Sequence, residues 1–140
     1  MRFAICVARF YDELADRLVA GATNALPDDA DVDTFEVPGA FELPLAAKLA
    51  AASGRYDAVI CLGAVIRGET SHYDYVCGES ARGIQDVQLE TGVPCSFGVL
   101  TVDNYEQALA RSGEGKRDSG AHAAEAVLAL IAVKQKLAKG

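Results

Sequence analysis

The run at residues 56–66, YDAVICLGAVI, constrains the fold of this chain more than any other feature. After its first two residues the run is apolar and rich in β-branched side chains, with no alternation of polar and apolar positions. A strand with one solvated face alternates, whereas a strand that is covered on both faces is apolar throughout. The run therefore predicts a central strand of a parallel sheet with helices packed on both faces.

Strand-like and helix-like patterns alternate along the rest of the chain. The apolar stripe of Leu14, Leu18, Ala22 and Leu26, spaced four residues apart, is typical of a helix. Further strands are predicted at residues 3–8, 31–39 and 95–102, and helices at residues 12–26, 43–54, 72–92, 104–112 and 121–137. Alternating strands and helices form right-handed βαβ units. We expect one α/β domain over residues 1–140, a three-layer flavodoxin-like fold with a four-stranded parallel sheet and helices on both faces.

Charge and cysteine placement argue against several classes of function. The net charge of −7 is unfavourable for binding nucleic acid. No apolar segment approaches the roughly 18 residues of a membrane span, and the N-terminus lacks a signal-peptide pattern, so we expect a cytoplasmic protein that binds no membrane. The four cysteines form no CxxC pair, which argues against a metal site and against a disulfide framework.

Polar and aromatic residues follow the predicted strands directly. They lie at residues 9–11 (RFY), 38–42 (PGAFE), 67–72 (RGETSH) and 100–101 (LT). In open α/β sheets, ligands bind outside the carboxyl ends of the strands, which meet along one edge. We therefore expect these segments to face one cleft.

The third of these segments combines an anion-binding pattern with a group that can transfer protons. Gly68 permits a tight turn, and Glu69 and Thr70 precede the next helix, where free backbone N–H groups and the helix dipole favour a phosphate. A hydroxyl at this position would equally serve as a simple helix cap. His72 is a candidate acid–base group, although a lone histidine is more often structural.

The remaining candidates also have two interpretations each. Phe10 and Phe41 are either core residues or flat faces on which a heterocycle stacks. Arg111 either binds a phosphate with two nitrogens or is solvated. Glu42 either accepts hydrogen bonds from ligand hydroxyls or is only a helix N-terminal charge. Together these residues describe a site for an aromatic ring at one end and a phosphate at the other.

Two blocks, VPGAFELP and GAVIRGETSHYDYV, carry a resemblance that extends over nearly the whole chain through ARFYDELADRLVAGA, VPCSFGVLT and NYEQALAR. In this order they resemble the 6,7-dimethyl-8-ribityllumazine synthase family. The resemblance implies condensation of 5-amino-6-(D-ribitylamino)uracil with 3,4-dihydroxy-2-butanone 4-phosphate in riboflavin biosynthesis, without a metal or organic cofactor. It implies imine formation, loss of phosphate, and ring closure with loss of water.

The resemblance also implies residue roles and an assembly. His72 matches the family's proton-transfer histidine, and Arg111 matches an arginine that engages phosphate. The phosphate-binding turn matches Gly68, Glu69 and Thr70. The pyrimidine-binding set matches Phe10, which stacks on the ring, with Ala40, Phe41, Glu42, Val65, Ile66 and Phe97, the last contributed across a subunit boundary. The family forms homopentamers with shared active sites, some of which assemble further into decamers or sixty-subunit shells.

Two positions depart from the family pattern. Ser119 stands where relatives commonly have lysine, and we expect Lys116 or Arg117 to supply that charge from a shifted position. Tyr11 stands where many relatives have asparagine. Three alternatives stay open: a non-catalytic flavin or lumazine binder, for which the Ser119 departure leaves room, an archaeal-type riboflavin synthase, and a flavodoxin-type electron carrier.

Overall fold

The computed structural model describes residues 1–113 and 117–139, in which four strands alternate with helices. The strands are β1 (Arg2–Ala8), β2 (Asp31–Val37), β3 (Ala58–Ile66) and β4 (Cys95–Val102). The helices are α1 (Asp12–Ala25), α2 (Leu43–Ala52), α3 (His72–Thr91), α4 (Tyr105–Ala110) and α5 (Ser119–Ala138), and a 3-10 turn spans Ala40–Glu42.

All of these strands pair in parallel, in the order β2-β1-β3-β4. The strand order reverses between β1 and β3, because the chain places β2 on one side of β1 and then crosses back to place β3 on the other side. The expected three-layer α/β fold with a four-stranded parallel sheet is confirmed, and β3 is a central strand as its unbroken apolar run predicts.

The sheet is covered on both faces because alternate residues of each central strand point to opposite sides. On β1, Phe3, Ile5 and Val7 pack with α1, α4 and α5 in one apolar cluster. Ala4, Cys6 and Ala8 pack with α2 and α3 in a second cluster. These clusters are the two cores that fix the sheet between its helix layers.

One contact between helices depends on the absence of a side chain. A Cβ atom at Gly120 would overlap the carbonyl oxygen of Leu18, so α1 and α5 approach closely there. α5 begins at Ser119, earlier than its apolar pattern predicts, because the Asp118 side chain accepts a hydrogen bond from the Ala121 N–H at 3.0 Å. Over the described residues, no helix combines the length and apolar character that crossing a membrane requires.

Candidate functional site

A pocket of about 460 Å³ opens where the strand order reverses, at the carboxyl ends of β1 and β3. This is the position at which open α/β sheets bind ligands. It is lined by residues that follow β1, by the turn after β2, by the end of β3 and by the start of α3: Phe10, Tyr11, Gly39, Ala40, Phe41, Glu42, Ala64, Val65, Ile66, His72 and Val76.

Two exposed aromatic rings form the apolar walls of this pocket. Phe10 is 74% exposed and Phe41 is 58% exposed, so neither belongs to the core. The Phe10 ring meets the Tyr11 ring edge-on, with centroids 4.9 Å apart. An exposed ring held by an edge contact keeps its face free for a planar ligand.

The turn after β2 is held in shape by one of the predicted site residues. Glu42 Oε1 accepts a hydrogen bond from the Gly39 N–H at 3.0 Å, across the 3-10 turn. This bond fixes the backbone that presents Ala40 and Phe41 to the pocket. Glu42 is thus both a lining residue and a support for its neighbours.

His72 is the first residue of α3, and its exposed side chain lines the pocket. The preceding turn, residues 68–71, is also exposed. Thr70 Oγ1 accepts a hydrogen bond from the His72 N–H at 3.3 Å within the turn, while Ser71, at the N-cap position of α3, makes no side-chain capping hydrogen bond. Gly68, Glu69 and Thr70 do not line the pocket, but they join two residues that do, Ile66 and His72.

Phe97 and Arg111 lie apart from this pocket. Phe97 is on the edge strand β4, is 40% exposed, and lines a second depression of about 220 Å³ with residues of α3 and α5. Arg111 follows α4, and its guanidinium donates to the Gln107 carbonyl at 3.0 Å. A single chain therefore does not bring these two candidates together with His72.

Ala64 and Val76 line the pocket although sequence reasoning did not single them out. Val76 lies one helical turn after His72, and residues spaced four apart share a helix face. That spacing was a usable signal. Ala64 lies within the apolar run of β3, where nothing distinguishes it from its buried neighbours.

Of the two departures from the family pattern, Tyr11 lines the pocket and Ser119 is the first residue of α5. The Ser119 N–H donates to the Arg111 carbonyl at 2.9 Å, so Ser119 holds the backbone beside Arg111. Arg117 is exposed, whereas Lys116 lies outside the described residues. Compensation for the missing lysine stays a prediction.

The cysteines are separate from the pocket lining. Cys6, Cys61 and Cys95 are buried, whereas Cys77 on α3 is half-buried. Burial raises the pKa of the Cys95 thiol to about 12, so this thiol is protonated at neutral pH. Among residues 1–113 and 117–139, no three His, Cys, Asp or Glu side chains are arranged to hold a metal ion.

Comparison with known proteins gives one consistent result. The family model described as 6,7-dimethyl-8-ribityllumazine synthase matches residues 1–135. The protein named 6,7-dimethyl-8-ribityllumazine synthase from Desulfatibacillum aliphaticivorans is 52% identical over 123 residues, which cover 85% of this chain and 79% of the relative. The chain therefore belongs to the 6,7-dimethyl-8-ribityllumazine synthase family, transferases of riboflavin biosynthesis.

Proposed function

We propose that the pocket at the β1–β3 reversal condenses 5-amino-6-(D-ribitylamino)uracil with 3,4-dihydroxy-2-butanone 4-phosphate. The observation that carries this proposal is that exposed Phe10, Phe41 and His72 line one pocket beside the turn 68–70. An aromatic wall suits the pyrimidine ring, and a helix N-terminus suits the phosphate. Val65 and Ile66 line the same pocket.

The reaction requires little beyond orientation and proton transfer. The substrate amine attacks the ketone and forms an imine with loss of one water, phosphate then leaves, and ring closure releases a second water. Holding the two substrates together in the reacting orientation can lower the activation barrier by up to about 7–11 kcal/mol. We assign to His72 the proton transfers that these steps require, and its exposed side chain in the pocket next to the turn supports this assignment.

The phosphate subsite combines the turn Gly68, Glu69 and Thr70 with an arginine. Backbone N–H groups before α3 and the positive end of its dipole attract the anion. Arg111 lies outside the pocket of its own chain, so we assign it to the pocket of a neighbouring subunit. We assign Phe97 to the neighbouring pocket for the same reason.

A shared site requires a homo-oligomer, and we propose a pentamer. Apolar side chains are exposed on separate faces of the chain: Phe97 and Leu130 beside the edge strand, and Leu45 and Leu49 on α2. Contact between two different faces is heterologous and closes into a ring when the rotation permits. Five is the number of chains that the resemblance to the family implies, so sedimentation should give a species of five chains, or a multiple of five. A monomer at working concentration would contradict the shared site.

The condensation is tested with both substrates and the purified protein. Lumazine absorbance should rise above the uncatalysed background, and phosphate should appear in equal molar amount. Either substrate alone should give no lumazine. Tight binding of lumazine or riboflavin without any catalysed product would instead identify a non-catalytic binder, with Ser119 as the first position to test.

A further inference from the structure

Arg67 joins three elements beside the turn that leads into α3. It is the first residue after β3, and its N–H donates to the Val102 carbonyl at 2.9 Å, which extends the β3–β4 pairing. Its Nε donates to Asp103 Oδ1 at 2.9 Å, immediately after β4. The same guanidinium therefore reaches the end of the neighbouring strand as well as its own.

The guanidinium also contacts the first turn of α3. Its Cζ lies 4.3 Å from the centre of the Tyr73 ring, and its Nη1 lies 3.7 Å from Asp74 Oδ1. A planar guanidinium can stack on a ring and pair with a carboxylate at once, which an ammonium group does less well. Arg67 thus connects the ends of β3 and β4 to the start of α3.

The segment between these contacts is the proposed phosphate turn. Gly68, Glu69, Thr70 and Ser71 are exposed, and the hydrogen bonds that shape the turn come from its α3 end. They run from the His72 N–H to Thr70 Oγ1 and from the Asp74 N–H to the Ser71 carbonyl, at 3.3 Å and 3.0 Å. Arg67 supplies the matching restraint at the β3 end.

The two carboxylates beside Arg67 would oppose a bound phosphate if they were uncompensated. Asp74 and Asp103 both contact its guanidinium, and the hydrogen bond to Asp103 raises the pKa of Arg67. Because the positive charge of Arg67 is already paired with these two carboxylates, Arg67 acts by holding the turn in shape and is not itself a phosphate ligand.

We propose that Arg67 is a positioning residue of the phosphate subsite, which holds the turn 68–70 in its binding geometry by bracing the start of α3 against the ends of β3 and β4. This inference rests on the proposed assignment of that turn to phosphate. The role differs from those of His72 and Arg111, because Arg67 touches neither the pocket nor the reacting atoms.

Steady-state kinetics of Arg67→Ala tests the proposal, with Arg82→Ala as a matched control. Arg82 is likewise an exposed arginine that pairs with two carboxylates, but its partners Glu79 and Asp86 lie on its own helix. For Arg67→Ala, KM for the butanone phosphate and the inhibition constant of inorganic phosphate should rise about five- to tenfold, from the loss of stacking and pairing. KM for the diaminouracil and kcat should stay within about twofold.

Two further variants separate positioning from a direct charge effect. Arg67→Lys should recover part of the loss, because it keeps the charge but not the planar fork. Asp103→Ala removes a brace and one negative charge while Arg67 remains. If Arg67 positions the turn, this variant weakens phosphate binding; if Arg67 instead attracts phosphate directly, binding stays the same or tightens, and the proposal is wrong.

Thr70→Ala distinguishes failure of this inference from failure of the phosphate assignment. If Thr70→Ala weakens phosphate binding while Arg67→Ala behaves like Arg82→Ala, the turn binds phosphate and Arg67 does not position it. If neither variant changes the phosphate constants, the assignment of the turn is wrong and the inference is wrong with it. Sedimentation of each variant checks that the assembly is unchanged.

Discussion

Replacement of Phe10 by alanine should weaken binding of the pyrimidine substrate without weakening the fold. The Phe10 ring is 74% exposed, so its removal uncovers little core. Surface changes of this kind alter the free energy of unfolding by about 0.5 kcal/mol or less. Any large effect of the variant must therefore arise from the ligand that covers the ring.

The size of the effect follows from the area that a stacked ligand covers. A fully buried aromatic side chain contributes about 150 Å² or more, and one ring face is about a third of that, or roughly 50 Å². At about 25 cal/mol per Å², the lost contact is worth about 1.3 kcal/mol. We therefore expect KM for the diaminouracil to rise about tenfold in Phe10→Ala, with KM for the butanone phosphate nearly unchanged.

The assay is lumazine formation at varied diaminouracil, with thermal unfolding measured in parallel. Phe10→Tyr keeps the ring face and should behave like the wild type. Phe35→Ala removes another exposed ring, one that lies on β2 outside the pocket, and should leave KM unaltered. A Phe10→Ala enzyme with wild-type KM for the pyrimidine would refute stacking on this residue.

Three further predictions concern the core and the thiols. Gly98→Ala should lower the free energy of unfolding by about 1–3 kcal/mol, because the added Cβ would lie 2.6 Å from Leu62 Cδ2. Gly78→Ala on α3 adds its Cβ in open space and should not lower the free energy of unfolding. Equal melting temperatures of the two variants would contradict this prediction. In the native protein at pH 8, a thiol reagent should modify no more than the half-buried Cys77, whereas after unfolding it should modify all four cysteines. Rapid reaction of all four cysteines without unfolding would refute the burial of the other three thiols. Burial raises the Cys95 pKa from 9.0 to about 12, so between these two pH values only the unfolded state loses the thiol proton. In this pH range, Cys95 should therefore lower the free energy of unfolding by about 1.4 kcal/mol for each pH unit. In denaturant titrations, the free energy of unfolding of Cys95→Ala should fall less steeply with pH than that of the wild type. An unchanged pH slope would count against this cause.

Much of the fold was predictable because its signals are local. The apolar run of β3 required cover on both faces, and the alternation of strands and helices then led to the parallel sheet that the structure has. Element ends were less predictable where a side chain decides them. α5 begins at Ser119 because Asp118 caps it, and β2 ends at Val37 where the 3-10 turn follows.

The site was predictable only where strand ends define it. Phe10 lies in the segment that follows β1 and His72 in the segment that follows β3, so topology alone brings them to one edge. Val76 required helix periodicity, and Ala64 has no chemical signal at all. Phe97 and Arg111 lie away from the pocket of their own chain, so a single chain places neither of them beside His72, and their roles stay proposals that depend on an assembly.

The most direct test of the account is the rate of lumazine formation by the wild type, by His72→Ala and by His122→Ala. His122 is an exposed histidine on α5 that does not line the pocket, so it controls for the loss of an imidazole. We expect a wild-type rate well above background, a His122→Ala rate equal to it, and a His72→Ala rate about a hundredfold lower. A His72→Ala rate equal to that of the wild type would contradict proton transfer by His72 in this pocket.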